Sequence, residues 1–584
     1  MKIINYNISQ SISFFRTLAI QLDRHIFLLM IISIAMLLIF TSGCITTADT
    51  SPRMDPVPAG YYDEMDTHLQ PVISTISGEM KNVTSAVWNT ARELDGLSPD
   101  DPAADIALLK LRRDVPFSFE AVMFDKNETL IASSIDIDKT GLINSGKATY
   151  HYTEEELEAA GQECIVSGYG PLLYDDTGVT VTTAIYDAEG NYNGTLRVGL
   201  NTGYLFSGIT EALRNEYGYT LWVTQTDGLV IFDQDSIEIG RNLVTDSIYQ
   251  IPSLQNMVKN ALGNESGNNS YIFYDETWMN LVQTNTVWDT VSPGYGTEWR
   301  IVLSDNVAEN SDEKQMTTTP GEMKNFVQKA YIYTMTEGKE AALAEFNNPN
   351  GEFIDGELYI FAYDMNGTIL ALPYQPGLVG ENRWSIEDSS GVKIVQRGVA
   401  RAEQGGGYVL YLYPNPTDGY AQEFKLSYVM AVDNDWFIGA GMYIYDDSFT
   451  QTKYINWQEK KDLIRQVRNM QYLSKTESIS AVIEMIEEQD SKLYADELYP
   501  FAFTENGTIL AASLDPLMSG TNNLGFTNSY DMSVVREMIS LAQDGGGLMH
   551  SLVLDPVTQK ENNVLIYIEP ADSTIYFGSI LIIE

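Results

Sequence analysis

The sequence predicts an α+β protein built from tandem modules, each an antiparallel sheet with flanking helices. The first observation is a stretch that occurs twice, at residues 358–370 and 498–510. Each copy is an aromatic and β-branched run, then Asn-Gly, then a second apolar run, which is typical of a β-hairpin. The second observation is that looser copies surround Asp125 and Asp227. The four hairpins therefore indicate four modules of one kind.

A chain of 584 residues is too long for one hydrophobic core and should split into several domains. We expect an N-terminal segment, a linker and the four modules. The predicted divisions are 1–44 for a signal peptide or membrane anchor, 45–62 for the linker, 63–212 for a long helix and the first module, 213–310 for the second, 320–447 for the third and 455–584 for a degenerate fourth.

The acidic composition argues against one class of partner. The formal net charge is −45, so the surface repels phosphates and nucleic acid is excluded as a favoured partner. We favour a solvated acidic coat as the explanation. The alternative is an acidic site for a cationic partner.

Cysteine and histidine are too scarce to build a metal or redox centre. Cys44 and Cys164 are the two cysteines, which predicts no disulfide framework. The four histidines lie far apart without ligand spacing. The sequence contains no Gly-x-Ser-x-Gly, His-Glu-x-x-His or phosphate-loop motif. We therefore predict no catalytic residue, no metal and no cofactor, and a protein that is not an enzyme.

The N-terminus indicates export. Basic residues up to Arg24 precede an uncharged apolar run, 26–40, and small residues follow up to Cys44. This end resembles a lipoprotein processing site, in which Cys44 would be lipidated. The alternative is an uncleaved anchor over 26–43. Both predict a tether at the extracellular face of the cell membrane, and no second such run follows to lead into a cytoplasmic output domain.

The first half of the exported chain should contain two modules. Apolar residues three or four apart over 63–113 predict one long helix. Alternation and turn residues predict the other elements. For the first module these are strands at 119–124, 129–132, 179–186 and 195–200; for the second, strands at 219–224, 229–232, 270–274, 281–287 and 299–303 and a helix at 252–262.

The second half repeats this order. A helix over 320–345 and the hairpin at 358–370 open the third module. Its remaining predicted elements are a helix at 391–402 and strands at 408–413, 425–432 and 436–445. In the fourth module the glycines 545–547 stand at the same offset from the hairpin as 405–407 do in the third.

These residues resemble extracellular Cache domains, the PAS-like sensory modules of prokaryotic receptors. The third module carries the single-Cache motifs in their usual order, at 364–368, 380–382, 405–408, 413–416, 425–428 and 436–443. Residues 64–305 look like a double Cache. The fourth module matches more weakly, because Asn563 aligns with Lys425 and Val553 with Tyr413.

The resemblance implies a pocket on the concave face of the sheet for a small metabolite, an amino acid or a carboxylate. A cation and phenolic hydroxyls would suit an anionic ligand. The candidates in the third module are Tyr374, Arg383 and Trp384 in the roof loop and Tyr411, Tyr413, Lys425 and Tyr428 on the strands. Strand alternation puts Lys425 and Tyr428 on opposite faces, so at most one points into the pocket. The alternative is that the tyrosines are core residues and the lysine is solvated.

In the first module the nearest candidates for a ligand site are Tyr174, Tyr186 and Asp187. The set of residues that amino-acid receptors of the family carry there is not intact. The alternative is a turn carboxylate beside core tyrosines.

The leading functional hypothesis is a membrane-tethered extracellular protein that binds a small molecule. It would act as a sensor that signals through a separate membrane partner, or as a solute receptor for a transporter. The alternative is a structural or interaction protein of the cell envelope, in which the Cache modules are spacers.

Overall fold

The computed structural model describes most of the chain beyond residue 53. The described ranges are 54–98, 101–134, 151–172, 177–234, 238–274, 281–306, 318–355, 358–415, 422–444, 457–493, 497–530, 532–556, 558 and 560–583. Cys44 and the predicted signal or anchor segment lie outside them. No helix in these ranges is long and apolar enough to cross a membrane.

Two helices precede the first sheet, where the sequence predicted one. They are α1 (Tyr61–Leu94) and α2 (Pro102–Asp114). Helix α1 ends because Gly96 has a positive φ of 75°. Helix α2 begins where the Asp101 side chain accepts a hydrogen bond from the Ala103 N–H at 2.9 Å. The prediction of one continuous helix over 63–113 is therefore wrong.

The first two sheets both pack on α1. The first contains β1 (Ser118–Asp125), β2 (Leu130–Ser133), β3 (Ile165–Val166), β4 (Gly170–Pro171), β5 (Thr177–Tyr186) and β6 (Tyr192–Leu200), with helix α3 (Glu154–Ala160). Helix α4 (Thr202–Tyr217) leads to the second, which contains β7 (Thr220–Gln225), β8 (Val230–Asp233), helix α5 (Pro252–Gly263), β9 (Gly267–Tyr274), β10 (Leu281–Gly294) and β11 (Thr297–Asn306).

The third sheet follows two helices, α6 (Pro320–Glu337) and α7 (Lys339–Phe346). These replace the single predicted helix, because Gly338 between them has a φ of 86°. After them come β12 (Ile354–Asp355), β13 (Leu358–Tyr359), β14 (Phe361–Asp364), β15 (Ile369–Ala371), helix α8 (Ile394–Glu403), β16 (Gly407–Pro414), β17 (Gln422–Ala431) and β18 (Trp436–Tyr443).

The fourth sheet repeats the third. Its elements are α9 (Trp457–Thr476), α10 (Ile479–Glu487), β19 (Leu498–Thr504), β20 (Ile509–Ala512), α11 (Val534–Gln543), β21 (Gly547–Leu554), β22 (Glu561–Pro570) and β23 (Ile575–Ile583). The predicted α+β class is confirmed. The four sheets fall inside the predicted module ranges, and the boundaries between modules stay a prediction.

The four large sheets have one strand order, and β12 and β13 form a separate two-stranded sheet. The orders are β2-β1-β6-β5-β3, β8-β7-β11-β10-β9, β15-β14-β18-β17-β16 and β20-β19-β23-β22-β21, with antiparallel neighbours. In each sheet the hairpin of the first two strands has a register shift at the same place, just before the turn. Gly367, and not Asn366, takes the positive φ, and Asp364 Oδ1 accepts the N–H groups of Asn366 and Thr368. The turn is therefore a bulged loop wider than the Asn-Gly pair.

Helix α1 joins the first and second sheets. Its apolar stripe, from Met65 to Leu94 at helical spacing, is fully buried. The same core contains Val181 and Val198 of the first sheet and Val287 and Ile301 of the second. The apolar face that the sequence predicts for this helix therefore packs against two sheets.

Equivalent helices of the third and fourth sheets, α8 and α11, form ion pairs with each other. Arg401 pairs with Glu537, and both side chains are 9 % exposed. Arg397 Nη2 lies 3.4 Å from Asp544 Oδ2. Glu537 stands 140 residues after Arg397, the same offset as between the two hairpins.

A buried charge network connects the first sheet to the fourth. Arg112 of α2 donates two hydrogen bonds to Glu569 of β22, at 2.7 and 3.0 Å, and Arg468 of α9 donates a third at 3.0 Å. Arg468 also donates to the backbone oxygens of Arg112 and Pro116. Burial alone would raise the pKa of Glu569, but the two guanidinium groups hold it below its usual value.

We expect Glu569→Gln to destabilise the protein strongly, because it leaves two buried guanidinium groups facing a neutral amide. Removing one partner of a buried ion pair costs about 3–5 kcal/mol. The change is measured as a shift of the urea unfolding midpoint. The control is Glu477→Gln, whose partner Lys492 is exposed, and which should cost less than about 1 kcal/mol. Equal shifts for the two variants would refute a structural role for the network.

Candidate functional site

A cavity of ≈ 140 Å³ lies between the second and third sheets. Its walls come from both. The second sheet and its loops contribute Trp222, Asp233, Glu238, Tyr249 and Tyr271, and the third sheet with its roof loop contributes Tyr363, Arg383, Asp388 and Tyr413. A concave space with apolar walls and a few convergent polar groups is typical of a small-molecule site.

Among the described residues of the third module that line the cavity, Arg383 and Ser389 have buried polar atoms without a hydrogen-bond partner, and Arg383 is the charged one. Its side chain is 7 % exposed, and its Nε and Nη1 atoms are buried without a hydrogen-bond partner among the described residues. The roof loop fixes its backbone, because the Arg383 N–H donates to the Gly367 oxygen at 2.7 Å. Buried donors are nearly always satisfied in folded proteins, so this guanidinium is prepared for an acceptor that the described chain does not supply.

The roof loop is also fixed to the second sheet. Glu381, two residues before Arg383, forms an ion pair with Arg241, which follows β8. Asn382 in between donates to the Asn366 oxygen at 2.7 Å and accepts the Trp384 N–H. The position of Arg383 is therefore set from both sides of the cavity.

Lys425 is buried in a cage of tyrosines and does not line the cavity. Its Nζ lies 3.1 Å from the Tyr359 hydroxyl and 4.5, 5.1 and 4.9 Å from the ring centres of Tyr359, Tyr413 and Tyr443. Lys425 is 1 % exposed. The alternative of a solvated lysine is therefore wrong, and the cation is held by hydroxyl and ring contacts within the sheet.

Four other candidates of the third module, Tyr374, Trp384, Tyr411 and Tyr413, pack in one apolar cluster. Tyr413 lines the cavity. Tyr411 is buried and shares a 2.7 Å hydrogen bond with Ser427, and Tyr374 packs edge-on against Tyr359. Trp384 packs in the same apolar cluster. None of these three lines the cavity.

Tyr428 faces away from the cavity. It packs on Tyr408, 5.0 Å between ring centres, and under Lys324 of α6. Lys425 and Tyr428 thus lie on opposite faces, as strand alternation requires. The position gives no support to Tyr428 as a ligand contact.

The candidates of the first sheet do not converge on a site. Tyr174 lies outside the described residues. Tyr186 packs under the Arg92 guanidinium, 4.9 Å from the ring centre. Asp187 accepts the N–H groups of Glu189 and Asn191 in the following turn, and hydrogen bonds from Asn191 lower its pKa. This is the arrangement of a turn carboxylate beside packed tyrosines.

Sequence reasoning missed a buried polar group on the first sheet. Arg197 is 3 % exposed, lies over the Phe124 ring and is 3.9 Å from Glu128, and burial lowers its pKa. Glu120 and Thr182 are buried on neighbouring strands. A single arginine between apolar strand residues gives no signal in the sequence that it points inward.

Asp388 at the cavity wall was also missed. Its Oδ1 accepts the Ser390 and Val392 N–H groups, both at 2.9 Å, and its Oδ2 accepts the Leu412 N–H at 3.0 Å. Burial raises its pKa to about 6. The Nε2 of His550 on the fourth sheet lies 3.6 Å from Oδ2, and burial lowers the pKa of this histidine to about 3. The pattern Asp388-Ser389-Ser390, which is typical of a turn, could have indicated this residue in the sequence.

The fourth sheet lacks the polar groups of the third. Tyr411 pairs with Lys425 across β16 and β17, and the matching pair in β21 and β22 is Ser551 with Val564. Val564, and not Asn563, therefore stands where Lys425 does, so the sequence alignment was off by one residue. Among the described residues, no group of three or more His, Cys, Asp or Glu side chains could hold a metal ion.

Comparison with known proteins identifies part of the chain. Residues 340–574 match the family model of the Cache domain, across both the third and the fourth sheet. The sensor histidine kinase MctS of Rhizobium johnstonii is 34 % identical over 99 residues, which are 17 % of this chain and 21 % of the relative. The chain therefore matches about a fifth of the length of that relative.

Two solved structures are similar at low sequence identity. An extracellular ligand binding receptor from Desulfohalobium retbaense is 17 % identical, covering 41 % of this chain and 40 % of that chain with a TM-score of 0.32. The ligand binding domain of the amino acid chemoreceptor PctB of Pseudomonas aeruginosa, in complex with L-Arg, is 11 % identical, covering 42 % and 88 % with a TM-score of 0.30.

The raised pKa of Asp388 predicts an unusual pH dependence of stability. Because the folded protein holds this proton more tightly than the unfolded chain, the group stabilises the fold below about pH 4, and this contribution is lost as pH rises through about 6. Asp388→Asn should therefore gain about 1.4 kcal/mol of stability relative to the wild type between about pH 5 and about pH 7.5.

Urea unfolding at the two pH values tests this prediction. Asn528 accepts two turn N–H groups at the equivalent position of the fourth sheet, so an amide is compatible with this turn. The control is Asp187→Asn, because the lowered pKa of Asp187 keeps it ionised over the whole window. A relative stability of Asp388→Asn that stays constant with pH would show that Asp388 is ionised throughout.

Proposed function

We propose that this Cache-domain protein is a membrane-tethered extracellular sensor that binds a small carboxylate at Arg383 and signals through a separate membrane partner. The observation that carries the proposal is the pair of buried nitrogen atoms of Arg383 at the cavity wall that have no hydrogen-bond partner in the described part of the chain. We also propose that the protein has no enzymatic activity.

The charge of the ligand follows from the cost of burial. A guanidinium removed from water without compensating acceptors is unfavourable, and the penalty is offset when an anion enters. Arginine presents its N–H donors as a planar fork that fits the two oxygens of a carboxylate. The Tyr413 hydroxyl at the same wall can add a neutral hydrogen bond.

The similarity to a sensor histidine kinase over 99 residues supports a sensory role. The tether is proposed to be a lipid on Cys44 or an anchor over 26–43, which mass spectrometry of the mature N-terminus would distinguish. A solute receptor for a transporter would use the same site. The rival role is a spacer of the cell envelope. We favour it for the fourth sheet, because Ser551 and Val564 stand where the third sheet has Tyr411 and Lys425.

Arg383→Met should abolish carboxylate binding. We expect short monocarboxylates to raise the melting midpoint of the wild-type chain, because a ligand that binds only the folded state stabilises it. The variant should show no shift, a loss of at least about tenfold in affinity. The control, Arg465→Met, removes a half-exposed arginine outside the cavity that pairs with Asp462 and should keep the shift. No shift for any carboxylate in the wild type would favour the spacer.

Without ligand, Arg383→Met should be at least as stable as the wild type. The substitution removes buried donors that have no acceptor and keeps a long apolar side chain. Urea unfolding of the two proteins measures this difference. A loss of several kcal/mol would mean that the guanidinium has a structural partner, and the assignment of Arg383 to the ligand would fall.

A further inference from the structure

The wall that the second sheet and the helix before it contribute to the cavity carries acidic side chains beside Arg214. Two carboxylates line it, Asp233 at the end of β8 and Glu238 in the loop after it. They lie close enough to Tyr249 to help burial raise the pKa of its hydroxyl. The Tyr249 hydroxyl donates to Glu238 Oε2 at 3.1 Å, which fixes the position of that carboxylate.

Aromatic rings surround these carboxylates. Trp222, Tyr249 and Tyr271 line the same part of the cavity, and all three are at least nine-tenths buried. The indole N–H of Trp222 donates to Ser304 at 2.9 Å, which fixes the ring. Ring faces together with carboxylates are the groups that hold an organic ammonium ion in a dry site.

The two walls line one cavity. The Arg241–Glu381 ion pair joins the loop that carries Glu238 to the loop that carries Arg383. A ligand in a cavity of ≈ 140 Å³ is small, since an apolar cavity of about 150 Å³ holds a benzene molecule. One short molecule can therefore contact both walls.

We propose that the ligand is an ω-amino carboxylate, with its carboxylate at Arg383 and its ammonium group at Asp233 and Glu238. The proposal rests on the proposed function and adds the second sheet to the site. In an α-amino acid with an uncharged side chain the ammonium and carboxylate groups are bonded to one carbon atom, so their charges are closer together than those of an ω-amino carboxylate. The second sheet thus selects the ligand that the third sheet holds.

Isothermal titration calorimetry of the purified full chain with three five-carbon probes tests this inference. The probes are pentanoate, 2-aminopentanoate and 5-aminopentanoate. We expect 5-aminopentanoate to bind at least about tenfold more tightly than pentanoate, the value of one added charge-assisted contact. The 2-amino isomer should show no such gain. In the double variant Asp233→Asn and Glu238→Gln, the advantage of the 5-amino compound should disappear, while pentanoate should bind at least as tightly as to the wild type because two negative charges are removed from the cavity.

The outcomes separate this inference from the proposed function. Pentanoate binding in the double variant also shows that the fold is intact. If pentanoate binds and the 5-amino compound gains nothing, or the 2-amino isomer gains as much, the ω-amino inference is overturned and the carboxylate site at Arg383 stands. If no probe binds the wild-type chain, both fail. A gain that survives the double variant would place the ammonium group elsewhere and refute the role of the second sheet.

Discussion

The structure depends on one carboxylate held between two guanidinium groups. Glu569 is 1 % exposed, and its charge is tolerable there because Arg112 and Arg468 supply three hydrogen bonds. The Arg112–Glu569 bond closes a separation of 457 positions in sequence. The first and fourth sheets are thereby held together, while α1, the roof-loop ion pair and the α8–α11 pairs connect the other neighbouring sheets. The second and third sheets are separate, and these contacts hold them at the distance that leaves a cavity between them.

Two buried cations of the third sheet show how a structural charge differs from a binding charge. Lys425 is satisfied by its own surroundings, a hydroxyl and three ring faces. Arg383 is buried to a similar degree with two donors left over. From residue type alone both were equally good candidates for ligand contact. The difference lies in whether the surrounding chain provides acceptors, which only the folded arrangement reveals.

Local chemistry explains what the sequence could predict. The hairpins were found because Gly and Asn mark turns and alternating apolar residues mark strands, and Arg383 became a candidate because it lies in a recognisable loop. Two long helices were misjudged where a single glycine, Gly96 or Gly338, ended the periodic pattern. Asn563 was placed one residue out of register, and a slip of one residue in a strand exchanges the two faces of the sheet. Trp222, Glu238 and Asp388 were missed because their role arises from packing between modules, for which no short pattern in the chain exists.

The ion pairs between α8 and α11 have a consequence for how the protein can respond. The two helices are equivalent elements of the third and fourth modules. An interface between two copies of one module is therefore formed within a single chain. Any rearrangement across Arg401–Glu537 and Arg397–Asp544 is therefore unimolecular. Its equilibrium is independent of protein concentration, and a single molecule is sufficient to carry it out.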